Sequence, residues 1–161
     1  MKILLILSIF LIFSACANSA SYENSYELEL AKAGNIDAQY NVAMNFLNGI
    51  DGFPKDEKVA KEWLEKAAKK GGASSQNGLG IMYLRGIGGE KDLNKSEYYY
   101  RLAANQNHEN AQLQLALILL NKVKDKDKDK NINKAIIWLK KSGMQGNIEA
   151  QQKLKELGVK M

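Results

Sequence analysis

The sequence holds one cysteine, one histidine and one proline in 161 residues. A single cysteine, Cys16, rules out a disulfide within the chain. A single histidine, His108, rules out a multi-histidine metal centre and leaves few reactive groups that could converge on a substrate. One proline, Pro54, and few β-branched residues, set among many Ala, Leu, Lys and Glu, favour helix over strand. No long block of one charge sign occurs. Basic and acidic residues interleave to a net +5, so nothing demands a nucleic acid or an anionic membrane surface as partner. With 25% charged and 45% hydrophobic residues the composition is that of a folded chain, of a length for one domain.

Long apolar runs are also missing, with one exception. Met1 and Lys2 precede an apolar stretch from Ile3 to Phe13 that only Ser8 interrupts. At about 1.5 Å per residue it falls short of a ~30 Å hydrocarbon core. It runs into Phe13-Ser14-Ala15-Cys16, small residues before a cysteine. This is the layout of a secretory signal peptide over residues 1–15. It is also similar to a bacterial lipobox, in which Cys16 becomes the lipid-modified first residue. Two outcomes are open: an exported lipoprotein anchored through Cys16 and facing the periplasm, with residues 16–21 as tether, or plain cleavage that leaves a soluble periplasmic or secreted protein.

The remainder repeats. Gly34-Asn35-Ile36-Asp37-Ala38-Gln39 returns as Gly146-Asn147-Ile148-Glu149-Ala150-Gln151. A small residue followed by glutamine falls at Ala38, Ser75, Ala111 and Ala150, with spacings of 37, 36 and 39. Aromatics at Tyr26, Trp63, Tyr99 and Trp138 keep the same spacings. Two columns with one period mark a repeat of structural units. Each unit reads as two helices. The first carries apolar residues at helical spacing and ends in glycine, at Gly49 and Gly86. The second opens at Asp56 or Asp92, good amino-terminal caps, and carries small residues such as Ala67 and Ala103 where backbones approach. The aromatic column is expected to fill the gap between pairs, so Trp63→Ala and Trp138→Ala should each cost about 3–5 kcal/mol.

The copy from Ala38 to Gly71 keeps Phe46, Gly49, Asp56, Ala60, Trp63, Lys66, Ala67 and Ala68. The next keeps Leu79, Gly80, Tyr83, Gly86, Asp92, Lys95, Ala103 and Ala104. The third keeps Ala111, Leu115, Ala116, Lys134, Ala135, Trp138 and Lys141, with Lys122 in place of the loop glycine. This pattern resembles the Sel-one-like repeat, a relative of the tetratricopeptide repeat. The resemblance implies an all-α, right-handed α/α solenoid of about eight helices over residues 22–158. Its units would be a half-repeat at 22–35, repeats at about 36–72, 73–108 and 109–146, and a half-repeat at 147–158.

Catalytic and metal readings find little support. Lys124 to Lys130 alternates Lys and Asp, but a calcium loop starting at Asp125 would have Lys130 at its glycine position and Ile136 at its bidentate acid. That run reads as a zwitterionic loop between helices, and no metal or cofactor is expected. Some cysteine-rich relatives have been linked to penicillin binding or β-lactamase activity. Here no serine has lysine three residues on, and Lys141-Ser142-Gly143 occupies the repeat's Lys-Ala-Ala slot. The expected role is therefore binding of a protein partner, as an adaptor or assembly module of the cell envelope. A periplasmic immunity protein against a secreted toxin and a β-lactam-binding protein are the alternatives. In helix-pair solenoids the first helices line the binding face. Positions left over from packing there are Asn41, Asn45, Asn48, Met82, Arg85, Gln114 and Asn121.

Overall fold

The computed structural model describes residues 22–122 and 128–160; Cys16 and the first part of the Lys/Asp run lie outside them. Among the described residues eight helices run their full length: α1 Tyr26–Lys32, α2 Ile36–Asn48, α3 Glu57–Lys69, α4 Ala73–Arg85, α5 Leu93–Asn105, α6 Glu109–Asn121, α7 Lys128–Met144 and α8 Ile148–Glu156. No described residue is in a strand, and no described helix is long and apolar enough to cross a membrane. The chain divides into two compact units after Lys70.

The repeat sets the helix ends by chemistry. Asp56 accepts hydrogen bonds from the backbone N–H of Lys58 and Val59, at 2.9 and 3.0 Å, and Asp92 does the same for Asn94 and Lys95. These bonds satisfy amide donors that the first turn leaves without carbonyl partners. Gly49 and Gly86 end α2 and α4 at φ of +67° and +75°, a region costly for side chains bearing a Cβ. Where Lys122 replaces the glycine, α6 ends without a left-handed residue.

A second column ties each pair to the helix before it. The side-chain amide of Gln39 donates to the carbonyl of Ala31, that of Gln112 to Ala104, and that of Gln151 to Gly143, at 3.0, 3.3 and 2.9 Å. Each acceptor lies eight residues back, at or near the end of the preceding helix, where carbonyls lack intrahelical partners. The glutamines are buried or half-buried and structural. They also place the start of α6 beside the end of α5, and the start of α8 beside the end of α7. Gln106 donates to Gln76 at 2.7 Å, which sets the start of α4 beside the end of α5. Gln145, just past α7, donates to Gln112 near the start of α6 at 2.8 Å, so helices α4, α6 and α8 run parallel, with their amino-terminal ends together.

The amino-terminal unit buries Leu28, Ala31, Val42, Phe46, Phe53 and Ala60, with Phe46 and Phe53 edge to face at 5.0 Å. The carboxy-terminal unit buries Tyr100, Ala103, Leu115, Leu119, Leu139 and Leu154. The aromatic column corrects one expectation. Trp63, Tyr99 and Trp138 are half-buried and Tyr26 is 77% exposed, so these rings cover the core instead of filling it. Lys66 and Lys141 lie over the two indoles at 3.8 and 4.6 Å from their centroids, and Tyr99 stacks on Tyr83. The interior column is one residue further on, at Leu64, Tyr100 and Leu139, each 0% exposed.

His108 caps α6 in the column where Asn35 and Asn147 cap α2 and α8; its Nδ1 accepts from Ala111 N–H at 3.4 Å. Only the neutral ring offers that acceptor. Burial lowers its pKa, against a smaller raising effect of Glu109. With the folded pKa below 6.5, the unfolded chain takes up the proton first as pH falls. Stability is then full above about pH 6.5 and declines below it. Thermal melts from pH 7.5 to 5.5 should show that decline, and His108→Asn, which restores the pH-independent cap of the sister helices, should flatten it.

Candidate functional site

Among the described residues, surface cavities open beside the first helices of the pairs in both units. In the amino-terminal unit a cavity of about 380 Å³ is lined by Ser25, Glu27, Asn41, Met44, Asn45 and Asp51. Asn41 donates to Glu27 at 2.7 Å, so the α2 amide is already held to α1. In the carboxy-terminal unit a cavity of about 480 Å³ takes its walls from α4, α5, α6 and the start of α8. Its polar lining includes Asn77 and Arg85 from α4, Tyr100 from α5, and Asn110 and Gln114 from α6. Ile81, Leu84 and Leu113 form its apolar surface.

Two polar atoms in this second cavity's lining residues lack partners. Tyr100 is 0% exposed, and neither its hydroxyl nor Asn77 Oδ1 has a hydrogen bond, although both atoms are buried. Burial without a partner costs about 1–3 kcal/mol per group. Burial also pushes the Tyr100 hydroxyl up to about 12, so it stays protonated at neutral pH. Arg85 is exposed and makes no ion pair among the described residues.

The residues expected to meet a partner have separated. Asn41 and Asn45 line the first cavity; Arg85 and Gln114 line the second. Asn48 is exposed but donates back to the Met44 carbonyl at 2.9 Å, and Asn121 stands exposed at the end of α6. Neither lines these cavities. Met82 is corrected outright: it is 2% exposed and belongs to the interior, where its flexible apolar chain fills space. Sequence reasoning missed Asn77, Tyr100 and Asn110. Tyr100 had a signal, because the columns read Leu64, Tyr100, Leu139 and Ala43, Gly80, Ala116. The large ring is matched by loss of the opposite methyl: a Cβ on Gly80 would lie 2.6 Å from the Tyr100 ring.

Ser142 is 0% exposed and donates to the Glu109 carbonyl at 3.1 Å, so the Lys141-Ser142-Gly143 triplet serves packing. Among the described residues no group of three or more His, Cys, Asp or Glu side chains could hold a metal.

Paired antiparallel helices with glycine-ended first members and carbonyl-capping glutamines define a helix-pair repeat protein. The Sel1 repeat matches residues 36–72, 73–108 and 110–147, and the chain belongs to that family. Its fold is the α/α solenoid of solved relatives. A Sel1 repeat protein from Oxalobacter formigenes superposes with a TM-score of 0.71 at 32% identity, over 81% of this chain and 95% of that one. A protective antigen of uropathogenic Escherichia coli strains with an SLR fold gives 0.74 at 28% identity, over 81% of this chain and 27% of that one. Chitin synthase regulatory factor 4 of Schizosaccharomyces pombe is 33% identical over 97 residues, which span 60% of this chain and 14% of the yeast protein. Repeats of this family are protein-interaction modules and generally serve as scaffolds, not catalysts.

Proposed function

We propose that this chain is a non-catalytic protein-binding module that acts as an adaptor or assembly factor in a bacterial cell envelope. The observation that carries the binding role is the carboxy-terminal cavity. Its walls combine apolar surface, exposed polar side chains and buried polar atoms with no partner of their own. That combination is what a binding site presents before its ligand arrives. The yeast relative's description as a regulatory factor fits a role through contact with other proteins. The envelope location draws on the sequence: the charged start, the short apolar run and Ala15-Cys16. Mass spectrometry of the mature amino terminus should find a lipid-modified Cys16; an unmodified Asn18 as first residue would remove the anchor.

Affinity capture from the native envelope tests the function. The wild-type chain should retain a stoichiometric protein partner, and combined substitution of Arg85 and Gln114, which line the carboxy-terminal cavity, should reduce recovery at least about tenfold, the loss expected for one charged and one neutral hydrogen-bond partner. Equal recovery would argue against the assigned surface.

A further inference from the structure

The parallel packing of α4, α6 and α8 gives the 480 Å³ cavity two electrically different ends. Glu109 and Glu149 line it from the first turns of α6 and α8. In the repeat register Glu109 stands level with Ala73, since the small-residue column there advances by 36. Arg85 is twelve residues further along α4 than Ala73, about 18 Å along the axis at 1.5 Å per residue. Between these ends lie Tyr100, whose hydroxyl has a proton to give, and Asn77 Oδ1, which can only accept. A ligand that satisfies both must offer an acceptor and a donor, and a peptide unit has one of each.

We propose that this cavity seats an extended segment of a partner protein that carries an acidic side chain and a basic one four or five residues apart. The carboxylate meets the Arg85 guanidinium, whose fork geometry suits it. The segment displaces the side chains that cover the two buried atoms, so that a peptide carbonyl in between accepts from the Tyr100 hydroxyl and a peptide N–H donates to Asn77 Oδ1. The basic side chain lies toward Glu109 and Glu149. The spacing follows from about 3.3 Å per residue of extended chain over the ~18 Å between the ends, less the reach of the side chains. A segment with two acids would place one of them against the glutamates. This assignment rests on the protein-binding reading and adds the chemistry of the bound segment.

The test uses the full chain, immobilised, and a library of N-acetylated, C-amidated decapeptides. Recovered peptides should be enriched in an acid and a base at the stated spacing. In fluorescence anisotropy, Arg85→Gln should weaken a recovered peptide about 10–100-fold, and Tyr100→Phe about 3–10-fold, the ranges for losing a charged and a neutral hydrogen-bond partner. Because Arg85 is exposed, its variant keeps the core intact and the comparison stands even if Tyr100→Phe alters packing. No enrichment of acid–base pairs, or equal binding by both variants, overturns the proposal. If these variants still retain an envelope partner at wild-type levels, the protein-binding reading survives and the cavity assignment alone has failed.

Discussion

Leu139→Ala is expected to destabilise the carboxy-terminal unit by about 2–5 kcal/mol, whereas Trp138→Ala, its neighbour, should cost about half as much despite the larger side chain removed. Leu139 is 0% exposed and packs in the core with Leu115, Leu119 and Leu154. Its truncation leaves a cavity that surrounding helices, fixed by caps and glutamine bonds, cannot collapse. Trp138 keeps part of its indole in water beneath Lys141, so less area is returned to solvent when it is removed. Thermal or urea unfolding of the two variants compares them directly. A larger loss for Trp138→Ala would put the ring back in the interior and the repeat register in error.

Gly80→Ala should destabilise by about 1–3 kcal/mol, against the usual gain of about 1 kcal/mol for replacing a helical glycine. The new methyl would meet three Tyr100 ring atoms at 2.6 to 2.9 Å, and that ring has no exposed edge toward which to move. The neighbouring Ser96 hydroxyl, which donates to the Gly80 carbonyl at 2.8 Å, holds the α4 backbone against α5. Tyr100→Leu in the same chain recreates the alanine and leucine that the same two repeat columns hold at Ala43 and Leu64 and at Ala116 and Leu139. The double variant should therefore recover most of the lost stability. Additive losses in the double-mutant cycle would mean that the two residues are not coupled through this contact.

These two cases mark how far the sequence could be read. The repeat was legible because its signals are local and recur: aspartate before a helix, glycine after one, alanine where backbones approach, glutamine at a fixed place. The interior column was harder. Tyr98, Tyr99 and Tyr100 are consecutive, and each step turns a helix by about 100°. Periodicity selected Tyr99, which shares the column of Trp63 and Trp138, yet Tyr100 is the buried one and Tyr98 is 58% exposed. Spacing alone does not say which of two adjacent columns points inward when both hold large residues.

The candidate site was legible in part for a similar reason. Arg85 and Gln114 could be found because they sit on first helices at positions free of packing. Met82 shares a column with Asn45 and Ile118, and polarity in one copy masked burial in another. Asn77 and Tyr100 come from different helices and matter because of partners they lack, a property that exists only once the helices are packed.

The central claim, that the chain binds a protein through the first helices of its carboxy-terminal unit, has a direct measurement. A photo-crosslinking amino acid is placed at Gln114, inside the cavity, and in a second chain at the exposed Ile137 of α7, which lies outside the cavity lining. During capture from the native envelope, the Gln114 chain should form a covalent adduct with the retained protein and the Ile137 chain should not. An adduct from Ile137 alone, or equal adducts from both, would contradict the account.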